Sequence, residues 1–305
     1  MDVTAVLRLF AAKGRPAHDP LIVHVSSIEQ AALLTTGMPP EARALANAFW
    51  PGPLTMVLPR HDAVPREVTA GLDTVAVRVP AHPVARALLE AAGIPVAAPS
   101  ANLFSRPSPT TAAHVLEDLG GRIDMVIDGG PASVGVESTV VDLTSTPPRV
   151  LRPGGVTVER LRALVPLLVA SGASVAAGEA ARSPGLLSQH YSPRTPMVLY
   201  SGAPDATRQA IVKRINEATA DGLTVGVLAT REQAAALGPL PVAVVELGSE
   251  QDADAVARRL YAAIRELDAA NLDLILTQQV AHTDGLWQAV GDRLTRAATE
   301  RVAVS

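Results

Sequence analysis

Ala98-Pro99-Ser100-Ala101-Asn102, continuing through Ser105-Arg106-Pro107-Ser108-Pro109-Thr110-Thr111, is the stretch that decides the fold of this chain. The apolar run from Ile94 to Ala98 predicts a buried strand. Ala112 to Leu119 predicts a helix, with Ser108 as N-cap and Pro109 at the first helical position. Small hydroxyl and amide side chains therefore collect where a strand ends and a helix begins. In an open α/β sheet that is where ligands bind, and the free N–H groups of a helix start favour an anion. The segment reads as a site in an α/β protein before any function is attached to it.

The chain has 305 residues, a length that predicts two domains. Hydrophobic residues make up 48% and charged residues 18%, enough for sizeable soluble cores. Apolar runs are short and broken by Gly and Pro, so no membrane span is expected, and no charged head followed by an apolar block marks a signal peptide. With no cysteine, disulfides and thiolate metal sites are excluded, which fits a cytoplasmic protein. The net charge of −4 argues against broad nucleic-acid binding and leaves room for a local basic cleft. Basic residues are nearly all arginine; the lysines are Lys13 and Lys213. For Lys13, in Lys13-Gly14-Arg15-Pro16, chance placement on a solvated loop and a compact ammonium kept for a phosphate are equally open readings.

Outward from the opening stretch, residues 2–11 predict a helix with apolar Val3, Val6, Leu7 and Phe10. A polar loop from Lys13 to Pro20 leads to a strand over Leu21–Val25, and Ser26 with Glu29 suggests a capping box for the next helix. Glu41–Trp50 predicts a helix stopped by Pro51-Gly52-Pro53, and His82–Ala92 one stopped by Gly93. Strands are expected over Leu54–Leu58, Thr74–Val79, Ser138–Leu143 and Val150–Leu151, and near Met125–Ile127, which together make a mixed α/β sheet. Residues 171–195 are rich in small residues, Pro, Ser and Gly and read as a linker. They also carry His190 and Tyr191 in a chain with 3% aromatics, so local packing of the tyrosine and docking of the whole linker are both open. From Met197, strands over Met197–Tyr200, Thr224–Leu228, Val242–Leu247 and Leu272–Thr277 alternate with helices near 205–219, 231–237, 252–269 and 286–298. Such alternation predicts a parallel, doubly wound sheet, without the Gly-x-Gly-x-x-Gly turn of a dinucleotide domain.

No nucleophile elbow, Walker loop or zinc spacing is present. Arg78 interrupts the apolar strand Val75-Ala76-Val77-Arg78-Val79, and a buried arginine calls for an anion, either a structural carboxylate or a substrate. Arg152, in Leu151-Arg152-Pro153-Gly154-Gly155, repeats that logic. His24 ends a strand and by itself reads as a satisfied core histidine, with a ligand contact as the alternative; Glu137-Ser138-Thr139 adds hydroxyls at another strand start, where plain capping is the alternative. Together, cations at Lys13, Arg15, Arg78 and Arg152 with hydroxyls at Ser100, Ser108 and Ser138 suit an anionic substrate such as a nucleotide plus a carboxylate. No paired carboxylates suggest general acid–base chemistry.

These motifs, in their order, resemble the YrdC-like family in its two-domain threonylcarbamoyl-AMP synthase form. The matching segments are Lys13-Gly-Arg-Pro with Pro20-Leu-Ile-Val-His24, Phe49-Trp-Pro-Gly-Pro-Leu54, Val77-Arg-Val-Pro-Ala-His-Pro83 and Ala98-Pro-Ser-Ala-Asn102. Ser108-Pro-Thr110, Gly135-Val-Glu-Ser-Thr139, Leu151-Arg-Pro-Gly154, Ser183-Pro-Gly185 and His190-Tyr-Ser-Pro193 continue the series, with Arg258–Leu267 and Arg293-Leu-Thr-Arg-Ala297 in the second half. The resemblance implies a YrdC-like twisted mixed sheet domain over 1–168, a linker or lid over 169–195, and a smaller Rossmann-like parallel α/β domain over 196–305. It implies a nucleotidyltransferase that joins L-threonine, bicarbonate or CO2, and ATP with its Mg²⁺ into threonylcarbamoyl-AMP and pyrophosphate, for threonylcarbamoyladenosine formation on tRNA with tRNA-modification partner proteins. By the same resemblance Arg15, Asp19, Thr74, Ser100, Asn102, Ser108, Arg152 and Tyr191 line the ATP site, Tyr191 as part of a lid. His24, Arg78, Ala98 and Ser138 line the threonine site, and Lys13, Arg15 and Arg152 neutralise charge during catalysis.

Two departures accompany the resemblance. Asp19 stands where the family often has Asn, which bears on a nucleotide contact. The family also begins earlier, with a strand and a Pro-Thr-Glu-Thr-Val-Tyr-Gly-Leu-like segment that nothing here matches. Loss of that strand predicts an exposed sheet edge with apolar surface. Alternative functions are an RNA-binding module, a carbamoyl transferase of the same superfamily, or an inactive truncated synthase.

Overall fold

Asp2 starts helix α1 (Val3–Lys13) by accepting hydrogen bonds from the N–H groups of Thr4 (2.8 Å) and Ala5 (3.4 Å). Gly14, at φ 65°, ends it in the left-handed conformation. The buried residues of α1 are Val6, Phe10 and Lys13, so the lysine continues an apolar stripe at i, i+4 and i+7. That spacing draws the ammonium into the protein instead of leaving it on a solvated loop. In this computed structural model the described residues are 1–170, 180–186 and 190–304. Residues 171–179 and 187–189, which belong to the expected linker, lie outside them.

The chain divides into two units. The first takes Met1–Phe104, Val115–Gly129 and Glu137–Ser188; the second takes Ser105–His114, Gly130–Val136 and Gln189–Ser305. After α1 come β1 (Ile22–His24), α2 (Ile28–Ala32), α3 (Pro40–Phe49), β2 (Leu54–Pro59), β3 (Thr74–Arg78), α4 (Pro83–Ala92) and β4 (Val96–Ala97). They continue as α5 (Ala112–Leu119), β5 (Thr139–Asp142), β6 (Arg149–Arg152), α6 (Val158–Arg162) and β7 (Val169–Ala170). The seven strands form one mixed sheet in the order β4-β1-β3-β2-β5-β6-β7.

Side chains alternate between the faces of a sheet, and the two faces here have different jobs. Val23, Met56, Val75, Val77 and Val141 point into the main core, with Val6 and Phe10 of α1 and Leu45 of α3. Ile22, Val57, Ala76, Val140 and Leu151 belong to the opposite face, where Ala181 and Leu186 cover them. On that second face the alternation also places His24, Arg78, Thr55 and Ser138.

Several local expectations shift. The strand expected over Ile94–Ala98 shrinks to Val96–Ala97 and lies at the sheet edge, with Ile94 59% exposed, because it pairs only with β1. No strand forms at Met125–Ile127, where Met125 and Ile127 are exposed among residues without a β partner. The cap of α2 is Ser27, one residue later than Ser26, and it accepts from Gln30 N–H (3.2 Å); Gln30 Oε1 accepts from Ser26 N–H (2.9 Å) instead of from the N-cap, so no capping box with Glu29 forms. Likewise α5 begins at Ala112, and Thr111 Oγ1 accepts from His114 N–H (3.3 Å). Ser108 is thus not its N-cap. Pro107 and Pro109 push the residues before them toward extended backbone, which delays the helix.

The second unit holds β8 (Met197–Gly202), α7 (Pro204–Ala220), β9 (Val225–Ala229), α8 (Arg231–Leu237), β10 (Ala243–Glu246), α9 (Ala253–Ala269), β11 (Leu274–Gln278), α10 (Trp287–Ala297) and β12 (Glu300–Val304). All five strands are parallel, in the order β10-β9-β11-β8-β12; β12 is the one strand the periodicity does not announce. Ile211 and Ile215 of α7 pack on one face, α9 and α10 on the other. Two excursions from earlier in the chain are built into this unit. Gly135, at φ 81°, approaches α9 so closely that a Cβ would lie 2.2 Å from Ala257 O. Arg265 Nη2 donates to Pro107 O (2.6 Å), and Arg106 pairs with Asp268 (3.2 Å). No helix among the described residues is long and apolar enough to cross a membrane.

Candidate active site

Strand register puts His24 beside Arg78 and Val140 beside Arg152, with Thr55 facing Val140. Met56 faces Val77 in the antiparallel pair, so Thr55 also falls next to Arg78. One rung of the sheet therefore carries His24, Arg78, Thr55, Val140 and Arg152 on the face that Ala181 and Leu186 partly cover. Parallel β1 and β3 end at this rung, whereas β2 and β5 begin there; mixed topology is what brings Ser138, just before β5, to the ends of the others.

The arginines on this rung are held by neutral groups. Arg152 is buried: its Nε and Nη2 donate to Ser138 O (3.2 and 3.0 Å), Nη2 also to Ser138 Oγ (3.2 Å), and Nη1 to Pro184 O (3.0 Å). Arg78, half-buried, donates from Nε to Gly52 O (2.9 Å). Neither forms an ion pair among the described residues. Loss of solvent and then the nearby Arg152 lower the Arg78 pKa to about 10, so the guanidinium stays charged at neutral pH. Two positive charges thus face one sheet surface with no carboxylate in ion-pair contact among the described residues, an arrangement that favours an anionic ligand.

Ser138 is positioned tightly. Its hydroxyl lies 2.7 Å from Thr55 Oγ1, and Gly154 passes over its backbone so closely that a Cβ there would sit 2.5 Å from Ser138 C and 2.2 Å from Glu137 O. Only glycine allows that approach. Thr55 is a contributor that the sequence reading missed; its one signal is a buried hydroxyl in the apolar run Leu54–Leu58.

A second group enters from the loop before β1. Lys13 Nζ donates to Ser100 O and Asn102 O, both at 2.5 Å, pinning the turn after β4 to the end of α1. Burial, then Arg15, lower its pKa to about 7, against the pull of Asp19 and Asp118. Arg15 Nε donates to Asp19 O (3.0 Å) and Nη2 to Pro20 O (2.6 Å), and Nη2 also lies 2.9 Å from Asp19 Oδ2. Thr74, at the start of β3, has a buried hydroxyl with no hydrogen-bond partner among the described residues. Ala98 donates its N–H to Ile22 O (3.1 Å), beside the same face. His24 is neutral: burial, then Arg78, lower its pKa to about 3, although a backbone hydrogen bond to Ile22 opposes them, and Nδ1 has no partner.

The first unit therefore gathers Lys13, Arg15, Asp19, His24, Thr74, Arg78, Ala98, Ser100, Asn102, Ser138 and Arg152. Ser108 and Tyr191 belong to the second unit. There the Tyr191 ring is buried 5.4 Å from the Tyr261 ring, with the Arg293 guanidinium 5.4 Å from its centre.

Residues 1–154 match the model of a family described as telomere recombination, the Sua5, YciO and YrdC group, and residues 156–299 match the threonylcarbamoyl-AMP synthase C-terminal domain. The chain is 43% identical over 306 residues to the threonylcarbamoyl-AMP synthase of Pyrococcus abyssi, covering 99% of this chain and 86% of that one. It is 43% identical over 303 residues to the Bacillus subtilis enzyme of that name, covering 99% and 85%. The crystal structure of P. abyssi Sua5 complexed with L-threonine matches with a TM-score of 0.90 at 41% identity, over 100% of this chain and 87% of that one. This chain belongs to the threonylcarbamoyl-AMP synthase family.

Proposed function

We propose that this chain is a nucleotidyltransferase that forms threonylcarbamoyl-AMP and pyrophosphate from L-threonine, bicarbonate or CO2, and ATP, for tRNA modification in the cytoplasm. The observation that carries this reading is the row of cations on one sheet face, with Arg78 and Arg152 held among the described residues by neutral acceptors. The threonine carboxylate pairs with Arg78, while Ser138 and neutral His24 offer hydrogen bonds to its polar groups. The threonine amine takes up CO2, and the resulting carbamate oxygen attacks the α-phosphorus as pyrophosphate leaves. Arg15, Arg152 and Lys13 hold the phosphates in line and offset the charge that develops there. Mg²⁺ enters with ATP as part of the substrate, its ligands drawn mainly from phosphate oxygens and water. Among the described residues no group of three His, Asp or Glu side chains is placed to hold it. The test is pyrophosphate release from MgATP, with mass-spectrometric detection of the adenylate. Release is expected only when threonine and bicarbonate are both present; release that ignores threonine overturns the reading.

The state of Lys13 makes a further expectation. A neutral amine still has the two N–H groups that Ser100 O and Asn102 O take, and the third proton returns when an anion arrives. The signs run in one direction: a pKa of about 7 leaves Lys13 mostly neutral at pH 8, and a bound phosphate raises it. ATP binding at pH 8 is therefore accompanied by uptake of up to about one proton. Calorimetry in buffers of different ionisation enthalpy measures it, and Lys13→Met abolishes it. Equal heats across buffers for the wild type rule the assignment out.

A further inference from the structure

Asp19 is a buried carboxylate among cations, yet among the described residues neither of its oxygens accepts a hydrogen bond. Its Oδ2 lies 2.9 Å from Arg15 Nη2 without hydrogen-bond alignment. Arg15 does not need that carboxylate to stay in place, because its Nε and Nη2 are already fixed by the carbonyls of Asp19 and Pro20 (3.0 and 2.6 Å). Burial holds the Asp19 carboxyl above its ordinary value, and Arg15, His18, Arg152 and Lys13 offset part of that rise. Those four are the charged and titratable groups that act on it, and all four are basic. A carboxylate that positions nothing and is poorly solvated has one remaining effect here, its charge.

We propose that Asp19 is a built-in counter-ion of the phosphate site: it supplies negative charge to Lys13, Arg15 and Arg152 when no ligand is bound, and it repels phosphate groups when one arrives. This rests on the assignment of that end of the sheet face to phosphates. The repulsion weakens binding of the pyrophosphate product in particular, because a charged carboxylate and a multiply charged anion share the same cations. Asp19 thereby sets affinity and eases product release, and an asparagine of the same shape lacks both effects.

The experiment measures inorganic pyrophosphate binding by calorimetry, without threonine, in EDTA and again in Mg²⁺, for wild type, Asp19→Asn and Asp19→Ser. Both variants remove the charge and differ in shape, and thermal melts verify that each is folded. In EDTA, pyrophosphate is expected to bind each folded variant on the order of tenfold tighter than the wild type. In turnover, pyrophosphate becomes a correspondingly stronger inhibitor of the Asn variant. Unchanged or weaker affinity in EDTA overturns the proposal, as does the absence of binding to every protein. Weakening confined to Mg²⁺ marks Asp19 as a metal ligand and overturns it as well. Since the probe needs neither threonine nor catalysis, a wild type that binds pyrophosphate but makes no adenylate defeats the functional reading and leaves this one standing.

Discussion

Arg152→Ala lowers threonine-dependent pyrophosphate release by a factor of about 100 or more, the usual cost of removing a preorganised donor from developing charge. Two effects add. The charge itself disappears from the rung that carries Arg78 and His24. The buried acceptors Ser138 O, Ser138 Oγ and Pro184 O also lose the donors that orient them. Arg152→Lys separates these effects, because an ammonium keeps the charge but cannot reproduce the fork that meets Ser138 and Pro184 together. It should recover part of the rate. Steady-state kinetics with ATP and threonine varied separately, beside thermal melts of each variant, provide the measurement. If Arg152→Ala turns over within about threefold of the wild type, Arg152 has no role at the reacting phosphate.

Replacing Arg78 with methionine has an opposite effect on the free protein and on the reaction. Its guanidinium is half-buried, stays charged, and among the described residues makes one hydrogen bond, to Gly52 O. A charge held this way without an anion contributes little to folding, and a side chain of similar length without charge is tolerated at least as well. Arg78→Met should therefore melt no lower than the wild type when threonine is absent. Threonine, which raises the melting temperature of the wild type by mass action, should leave the variant unmoved. The kcat/KM for threonine should fall about 10- to 100-fold, the range of a lost charge-assisted hydrogen bond, with the KM for ATP little changed. A variant that melts far lower and still responds to threonine would make Arg78 a structural residue. Such a pattern of lower ligand affinity with unimpaired stability is expected where a site keeps an unpaired charge for its substrate.

How much of this was legible in the residues varies from element to element. The stretch over 98–111 announced a strand, a turn and a helix, and all three exist. Its two halves nevertheless have separate fates: Lys13 pins Ser100 and Asn102, whereas Arg265 holds Pro107 in the second unit. Nothing local distinguishes them, because the partners lie far away in sequence. Strands β8, β9 and β11 and helices α7, α9 and α10 followed from periodicity because each buries a repeated stripe or run. β12, a mostly exposed edge of charged and apolar residues, offers no such pattern. The Ser108 cap failed for a related reason. Several hydroxyls precede α5, and backbone geometry, not residue type, selects Thr111.

The order of motifs and the presence of arginine in apolar strands are properties of the chain itself. They suffice to place a phosphate- and carboxylate-binding face on an α/β protein of this family, since buried cations demand anions wherever they occur. Whether each cation already has such a partner depends on groups brought together by strand pairing. Tertiary structure decided that, among the described residues, Arg78 and Arg152 meet neutral acceptors, that burial and Arg15 lower the Lys13 pKa to about 7, and that the Asp19 carboxylate lies among basic side chains without a hydrogen bond. Desolvation and Coulomb interactions depend on distance and burial in three dimensions, and neither quantity is a function of spacing along the chain.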